Sequence, residues 1–152
     1  MKRTITYLFL LIPFLFLSCK SEQSKPLPIE GTWELISATT IEGDTTFSTF
    51  DSTRNMIKIL NGTHFAFLNH ALNAKDSTAA PFSAGGGTFT LVDSTYTEHL
   101  DYFVDPAWEN HTFEFVVKIE NDTLVQKGIE KLEELGIDRV IVEKYRRIKA
   151  NP

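Results

Sequence analysis

Residues 95–104, TYTEHLDYFV, gather the side chains most able to do chemistry. In an extended strand, alternation puts Tyr96, Glu98, Leu100 and Tyr102 on one face and Thr97, His99 and Asp101 on the other. The leucine and the tyrosines mark the first face as the inner one. A carboxylate turned inward is costly to bury as an ion, so Glu98 must be paired, protonated or reached by solvent. Set between two tyrosines, it makes a polar cluster suited to hydrogen-bonding a ligand. Residues 63–70, THFAFLNH, read two ways: His64, Ala66, Leu68 and His70 share one face, and Phe65, Phe67 and Asn69 the other. With the histidines inward, His64 could meet Glu98 and act as a general base or bind a metal. With the phenylalanines inward, both histidines face solvent. Nothing in the sequence supplies a nucleophile beside them, so catalysis near Glu98 is the outside reading and no enzyme is expected. The candidate ligand-binding residues are His64, Tyr96, Glu98 and Tyr102, with no catalytic residue assigned.

Other features carry less chemistry. The four histidines, His64, His70, His99 and His111, lack metal-ligand spacing such as His-Glu-x-x-His, so no metal is expected, and no cofactor. Gly85, Gly86 and Gly87 open a strand with no Lys or Ser/Thr-headed helix after them, which suits a bend at a barrel corner and not a phosphate loop. A net charge of −5 and a pI near 5.3 give a nucleic-acid partner no electrostatic support. The single cysteine, Cys19, excludes an intrachain disulfide and a cysteine-based zinc cluster.

The elements that must position these residues are short strands. From Ile29 onward, GTWELISATT is followed by a turn at 42–44, and MIKIL is joined to THFAFLNH by Asn61-Gly62, a strong hairpin signal. Residues 71–84 lack periodicity and read as a loop ending in the glycines. TFTLV, a turn at Asp93-Ser94 and TYTEHLDYFV follow, and then HTFEFVVKIE and TLVQKGI joined by Asn121-Asp122. On HTFEFVVKI, Phe113, Phe115, Val117 and Ile119 define an inner face. Residues 130–136, EKLEELG, supply the only plausible helical turn, closed by Gly136, before the final strand DRVIVEKYRRI. A meander of seven or eight strands with one polar and one apolar face closes on itself more readily than it leaves two bare edges. The predicted fold is a single all-β, up-and-down antiparallel barrel of about eight strands, with a sandwich as second choice.

The N-terminus accounts for the cysteine. Lys2 and Arg3 precede an apolar run of thirteen residues, 5–17, whereas a spanning helix needs about twenty. The run fits the apolar region of a secretory signal peptide. Phe16-Leu17-Ser18-Cys19 resembles a bacterial lipobox, with Phe16 where leucine is usual. The resemblance implies removal of residues 1–18 and acylation of Cys19, with palmitate among the acyl chains. Residues 19–28 then read as the lipidated cysteine and a polar, proline-bearing tether, and residues 29–149 as the domain. Lys20-Ser21-Glu22 resembles the export signals after the lipidated cysteine in surface lipoproteins of Bacteroidota. The expected location is the cell envelope, anchored to a membrane (the outer one first) after export by the secretory pathway. The lipid bilayer is the expected partner, through the acyl chains.

IEGTWELISA carries a wider resemblance. Gly31-Thr32-Trp33 resembles the Gly-x-Trp signature of lipocalins and their calycin relatives, in which the tryptophan plugs the closed barrel end and an arginine of the last strand packs across it. Glu143, Tyr145 and Arg147 share one strand face, which selects Arg147 for that place. THFAF, AGGGTFTLVDSTYTE, ENDTLVQKG and VEKYRRI, in that order, resemble the lipocalin-like domain of uncharacterised bacterial lipoproteins of the Bacteroidota type, over residues 29–149. Tyr145 stands where those relatives often have tryptophan. The resemblance implies a fold and a compartment and brings no activity with it. The twelve phenylalanines and the glycine-bearing loop 71–87, a candidate lid, favour a barrel that binds a small apolar or amphipathic ligand. The alternative is a structural or protein-interaction lipoprotein whose barrel is filled by its own side chains; no particular protein partner is indicated.

Overall fold

The structure, a computed structural model, describes residues 27–73 and 82–149. The signal segment, Cys19, most of the tether and residues 74–81 of the expected loop lie outside the described residues. Among the described residues nine strands follow one another: β1 Gly31–Glu42, β2 Thr45–Ser48, β3 Arg54–Leu60, β4 His64–Ala71, β5 Phe82–Val92, β6 Thr95–Phe103, β7 His111–Glu120, β8 Thr123–Leu132 and β9 Ile137–Arg147. Every pairing is antiparallel, and β9 returns to β1. Strands β1 and β3 to β9 therefore close an eight-stranded barrel, and β2 is an additional hairpin partner of β1. This is the up-and-down barrel that the alternating pattern predicts.

Turn chemistry explains the connections. Asn121 and Asp122 both take left-handed backbone angles, φ 49° and 58°, as a two-residue hairpin matching the strand twist requires. Asn61-Gly62 closes differently. The Asn61 carboxamide oxygen accepts the Thr63 N–H at 2.9 Å and the His64 N–H at 2.8 Å, so a side chain stands in for the tight backbone turn. Residues 130–132, expected to be helical, continue β8; the helical turn is the 3-10 turn Glu133–Leu135, ended by Gly136 at φ 66°. A second 3-10 turn, Pro106–Trp108, was not foreseen. Asp105 caps it by accepting the Ala107 N–H at 3.1 Å. The glycine triplet lies inside β5 and not at its start, because Phe82, Ser83 and Ala84 already pair with β4.

One end of the barrel is sealed. Trp33 is fully buried, and its indole N–H donates to the Ile29 carbonyl at 2.8 Å. The Arg147 guanidinium lies 4.0 Å from the centre of the Trp33 ring and donates to the Glu30 and Pro28 carbonyls. Gly31 sits at φ 137°, and a Cβ there would come 2.7 Å from an Arg147 nitrogen. Gly31, Trp33 and Arg147 thus pack against one another at this end of the barrel. Above them Tyr96, Tyr145, Leu124 and Val117 fill the lower barrel.

The wall is not uniform. Gly31–Glu34 pair with β3 and Thr39–Glu42 pair with β2, so β1 changes neighbour along one edge. On its other edge β1 stays on β9 from Trp33 to Ile41, with a bulge at Ile36. Between Glu34 and Thr39 the ladder on the β3 side is interrupted, and the strands splay apart toward the open end.

Candidate functional site

The barrel interior holds a charged centre that starts from β3. Its alternation turns Met56, Lys58 and Leu60 inward and leaves Ile57 and Ile59 on the outer side. Lys58 is only 3% exposed. Its ammonium donates to Glu98 Oε1 at 2.8 Å and to Gln126 Oε1 at 3.0 Å. The rings of Tyr145, Phe65 and Tyr96 surround it at 5.4, 5.8 and 5.8 Å. An ion removed from water costs several kcal/mol, so such a lysine persists only with acceptors and ring faces arranged around it.

Glu98 is buried as alternation predicts, and its Oε1 also accepts the Tyr96 hydroxyl at 2.7 Å. Burial first, then the neighbouring Glu98 charge, pushes the Tyr96 hydroxyl far above its ordinary range, so it acts here as a donor. Across the barrel the Tyr145 hydroxyl donates to Glu143 Oε2 at 2.6 Å. Burial raises the Glu143 carboxyl above its usual value; Lys58 and the Tyr145 hydroxyl pull it back, while Glu98 and Glu130 push it further up. The area that Glu143 leaves accessible opens onto internal cavities, which is why enclosure dominates for a side chain that is not sealed by contact.

Two of the four predicted ligand residues are elsewhere. Tyr102 points outward and is 71% exposed. The cause is a β-bulge: Leu100 pairs with Gly87 and Tyr102 with Gly86, so Asp101 is an extra residue in β6 and reverses the alternation after it. Phe103 takes the inward place instead. The Asp101 carboxylate accepts the Thr88 N–H at 3.1 Å across the bulge. His64 also faces outward, against the Thr63 hydroxyl at 2.7 Å, because Phe65 and Phe67 turn into the barrel. The partner that a histidine would have given Glu98 is Lys58, a residue that sequence reasoning missed together with Gln126. Among the described residues no group of three His, Cys, Asp or Glu side chains is placed to hold a metal ion.

Toward the open end the centre looks into a cavity of about 220 Å³. Its walls are a chain of rings: Phe67 to Phe103 at 5.6 Å, Phe103 to Trp108 at 6.2 Å and Trp108 to Phe113 at 6.1 Å. The 3-10 turn after β6 sets Trp108 in this chain. Arg139 lies 5.7 Å from the Trp108 ring centre and pairs with Glu130 at 2.7 Å. A second hollow of about 230 Å³ sits where β1 and β3 splay, bounded by Leu35, Ala38, Phe50 and Asn69. Met56 and Glu143 line both hollows.

Residues 28–152 match the family described as Domain of unknown function (DUF4488). The chain belongs to that family. The match begins beside the segment that crosses the sealed end and covers the whole of this DUF4488 barrel. No curated protein matches the sequence.

Proposed function

We propose that this DUF4488 domain is a lipocalin-like binding module that takes a small, largely apolar ligand with a polar head into its open end and catalyses no reaction. The supporting observation is the cavity of about 220 Å³ with aromatic walls above a floor of Lys58, Glu98, Gln126 and Glu143. Pockets for drug-sized ligands span roughly 300–1,000 Å³, so this one suits a smaller molecule. Two of the three Lys58 N–H donors are committed to Glu98 and Gln126, and the two tyrosine hydroxyls serve the carboxylates, which makes a polar floor suited to orientation. On this reading the protein is exported and held at the cell envelope by acyl chains on Cys19, which present the barrel at a membrane surface.

Native mass spectrometry of the protein purified from its own host, followed by organic extraction, tests the binding. A retained small molecule is the expected result. Titrating it back should change the emission of Trp108, and Trp108→Phe, which keeps Trp33, should abolish the change. A clean apo mass, with no response to a panel of fatty acids and small aromatic compounds, would identify the barrel as structural. Cys19→Ser should move the protein out of the membrane fraction; a variant that stays there would sink the anchoring.

A further inference from the structure

The ion pairs around the cavity leave a remainder. Among the described residues three carboxylates line it, Glu98, Glu130 and Glu143, against two cations, Lys58 and Arg139. Lys58 is paired with Glu98 at 2.8 Å, and Arg139 meets Glu130 through both Nε and Nη2 at 2.7 Å. Glu143 accepts the Tyr145 hydroxyl and, among the described residues, makes no ion pair. Resting on the binding reading above, we infer that the polar head of the ligand is cationic, an ammonium that takes Glu143 as its counter-ion.

Three features of the site fit that head and disfavour an anion. A ligand carboxylate would face an ionised Glu143 with like charge, and two of the three Lys58 N–H donors are already taken by Glu98 and Gln126. An ammonium supplies the missing charge, and the lining is aromatic, with Trp108 and Tyr145 already holding the Arg139 and Lys58 cations 5.7 and 5.4 Å from their ring centres. Glu143 is also reachable, since it lines both the mouth cavity and the hollow at the split between β1 and β3.

The proton on Glu143 gives the inference a signature. The titratable and charged groups around the carboxylate are Lys58 and Arg54 from β3, Tyr96 and Glu98 from β6, Glu130 from β8, and Arg139 and Tyr145 from β9. Arg54 is turned to Asn69, donating to its Oδ1 at 2.8 Å and its carbonyl at 3.1 Å, and Asp51 stands in the link before β3. Among the described residues, strands β1, β4 and β7 line the two hollows with uncharged side chains only. Burial raises the Glu143 carboxyl, so at lower pH an arriving cation must displace its proton. Affinity for an ammonium therefore rises with pH until the carboxyl is ionised in the free protein, and binding below that point releases a proton.

Calorimetry with two series of probes tests this: phenethylamine, phenethyl alcohol and hydrocinnamate, and hexylamine, hexanol and hexanoate. Within a series the amine should bind at least about tenfold more tightly than the alcohol, with the carboxylate weakest. Glu143→Gln should erase the amine's advantage and leave the alcohol unchanged. Titrations of the unaltered protein in buffers of different ionisation enthalpy should show proton release with the amine alone, a readout that does not depend on the variant folding. An alcohol or carboxylate that binds as tightly as its amine, or an amine that binds without proton release at any pH, would overturn the inference while the binding module stands. If no probe of either series binds, both fail together.

Discussion

Glu143 and Gln126 face the same interior, and only one of them carries a protonation cost. Burial raises the Glu143 carboxyl, so the folded state holds the proton more tightly than the unfolded chain does. The sign follows directly. Its contribution to stability is fully present below its ordinary value of 4.5 and is lost as pH rises through the raised folded value. Glu143→Gln keeps the shape and the Tyr145 contact without the titration. Denaturant midpoints of the variant and the parent should coincide near pH 4.5 and separate in favour of the variant as pH rises. A variant that falls behind the parent as pH rises would show that the ionised form is the one the fold needs. The inward places of Tyr96 and Glu98 were legible, because Leu100 breaks the tie between the two faces of that strand. Glu143 was passed over: its shared face with Tyr145 and Arg147 served only to place Arg147, and it was not among the candidate ligand residues. Lys58 was not: Met56 and Leu60 on one face balance Ile57 and Ile59 on the other, so alternation assigns neither face to the core.

At the scale of elements, the misplacement of Tyr102 has a local cause with a visible trace on the facing strand. A bulge needs no particular side chain at the extra residue, so Asp101 does not announce it. The glycines opposite do. A Cβ on Gly87 would overlap the His99 carbonyl oxygen and lie 2.8 Å from the Asp101 nitrogen, and one on Gly85 would overlap the Phe67 ring. β5 runs so close to the bulged strand and to the cavity wall that side chains are excluded there. Gly87→Ala should therefore cost about 2–3 kcal/mol in chemical denaturation, because backbone must move. Gly43→Ala provides the contrast. Nothing lies within 4 Å of its Cβ, and only the left-handed φ of 54° resists, for about 1 kcal/mol. Equal effects at both positions would show that the bulge yields easily. Of the hairpins, Asn121-Asp122 read correctly because two left-handed residues admit one geometry. Asn61-Gly62 has the same signature, yet the asparagine side chain closes that turn together with one backbone bond, from the Asn61 N–H to the His64 carbonyl at 3.1 Å.

For the molecule as a whole, closure was readable because a run of short antiparallel strands joined by tight turns leaves two edges that only each other can satisfy. The seal at one end was not read from alternation; Gly31, Trp33 and Arg147 were singled out through a family resemblance. Arg147→Ala should lower stability by about 2–3 kcal/mol, since it removes a guanidinium over a buried indole and its hydrogen bonds to two carbonyls. Arg147→Lys should recover little, because one ammonium cannot cover the ring and reach both carbonyls. Urea unfolding followed by the emission of Trp33 would measure both. What could not be read was how much of the interior stays empty, because that depends on the bulge, the 3-10 turn carrying Trp108 and the parting of β1 from β3. The parting has a dynamic consequence. A strand in a sheet ordinarily opens from its ends inward, but the stretch Leu35–Ser37 of β1 is in register with a neighbour on the β9 side only, around the bulge at Ile36, while each half keeps two neighbours and the Ala38 carbonyl accepts the Thr49 N–H at 3.0 Å. Backbone amides at 35–38 should then exchange with solvent sooner than those at 31–34 or 39–42. The barrel would breathe at its waist, level with Glu143, while the indole seal at its base stays shut.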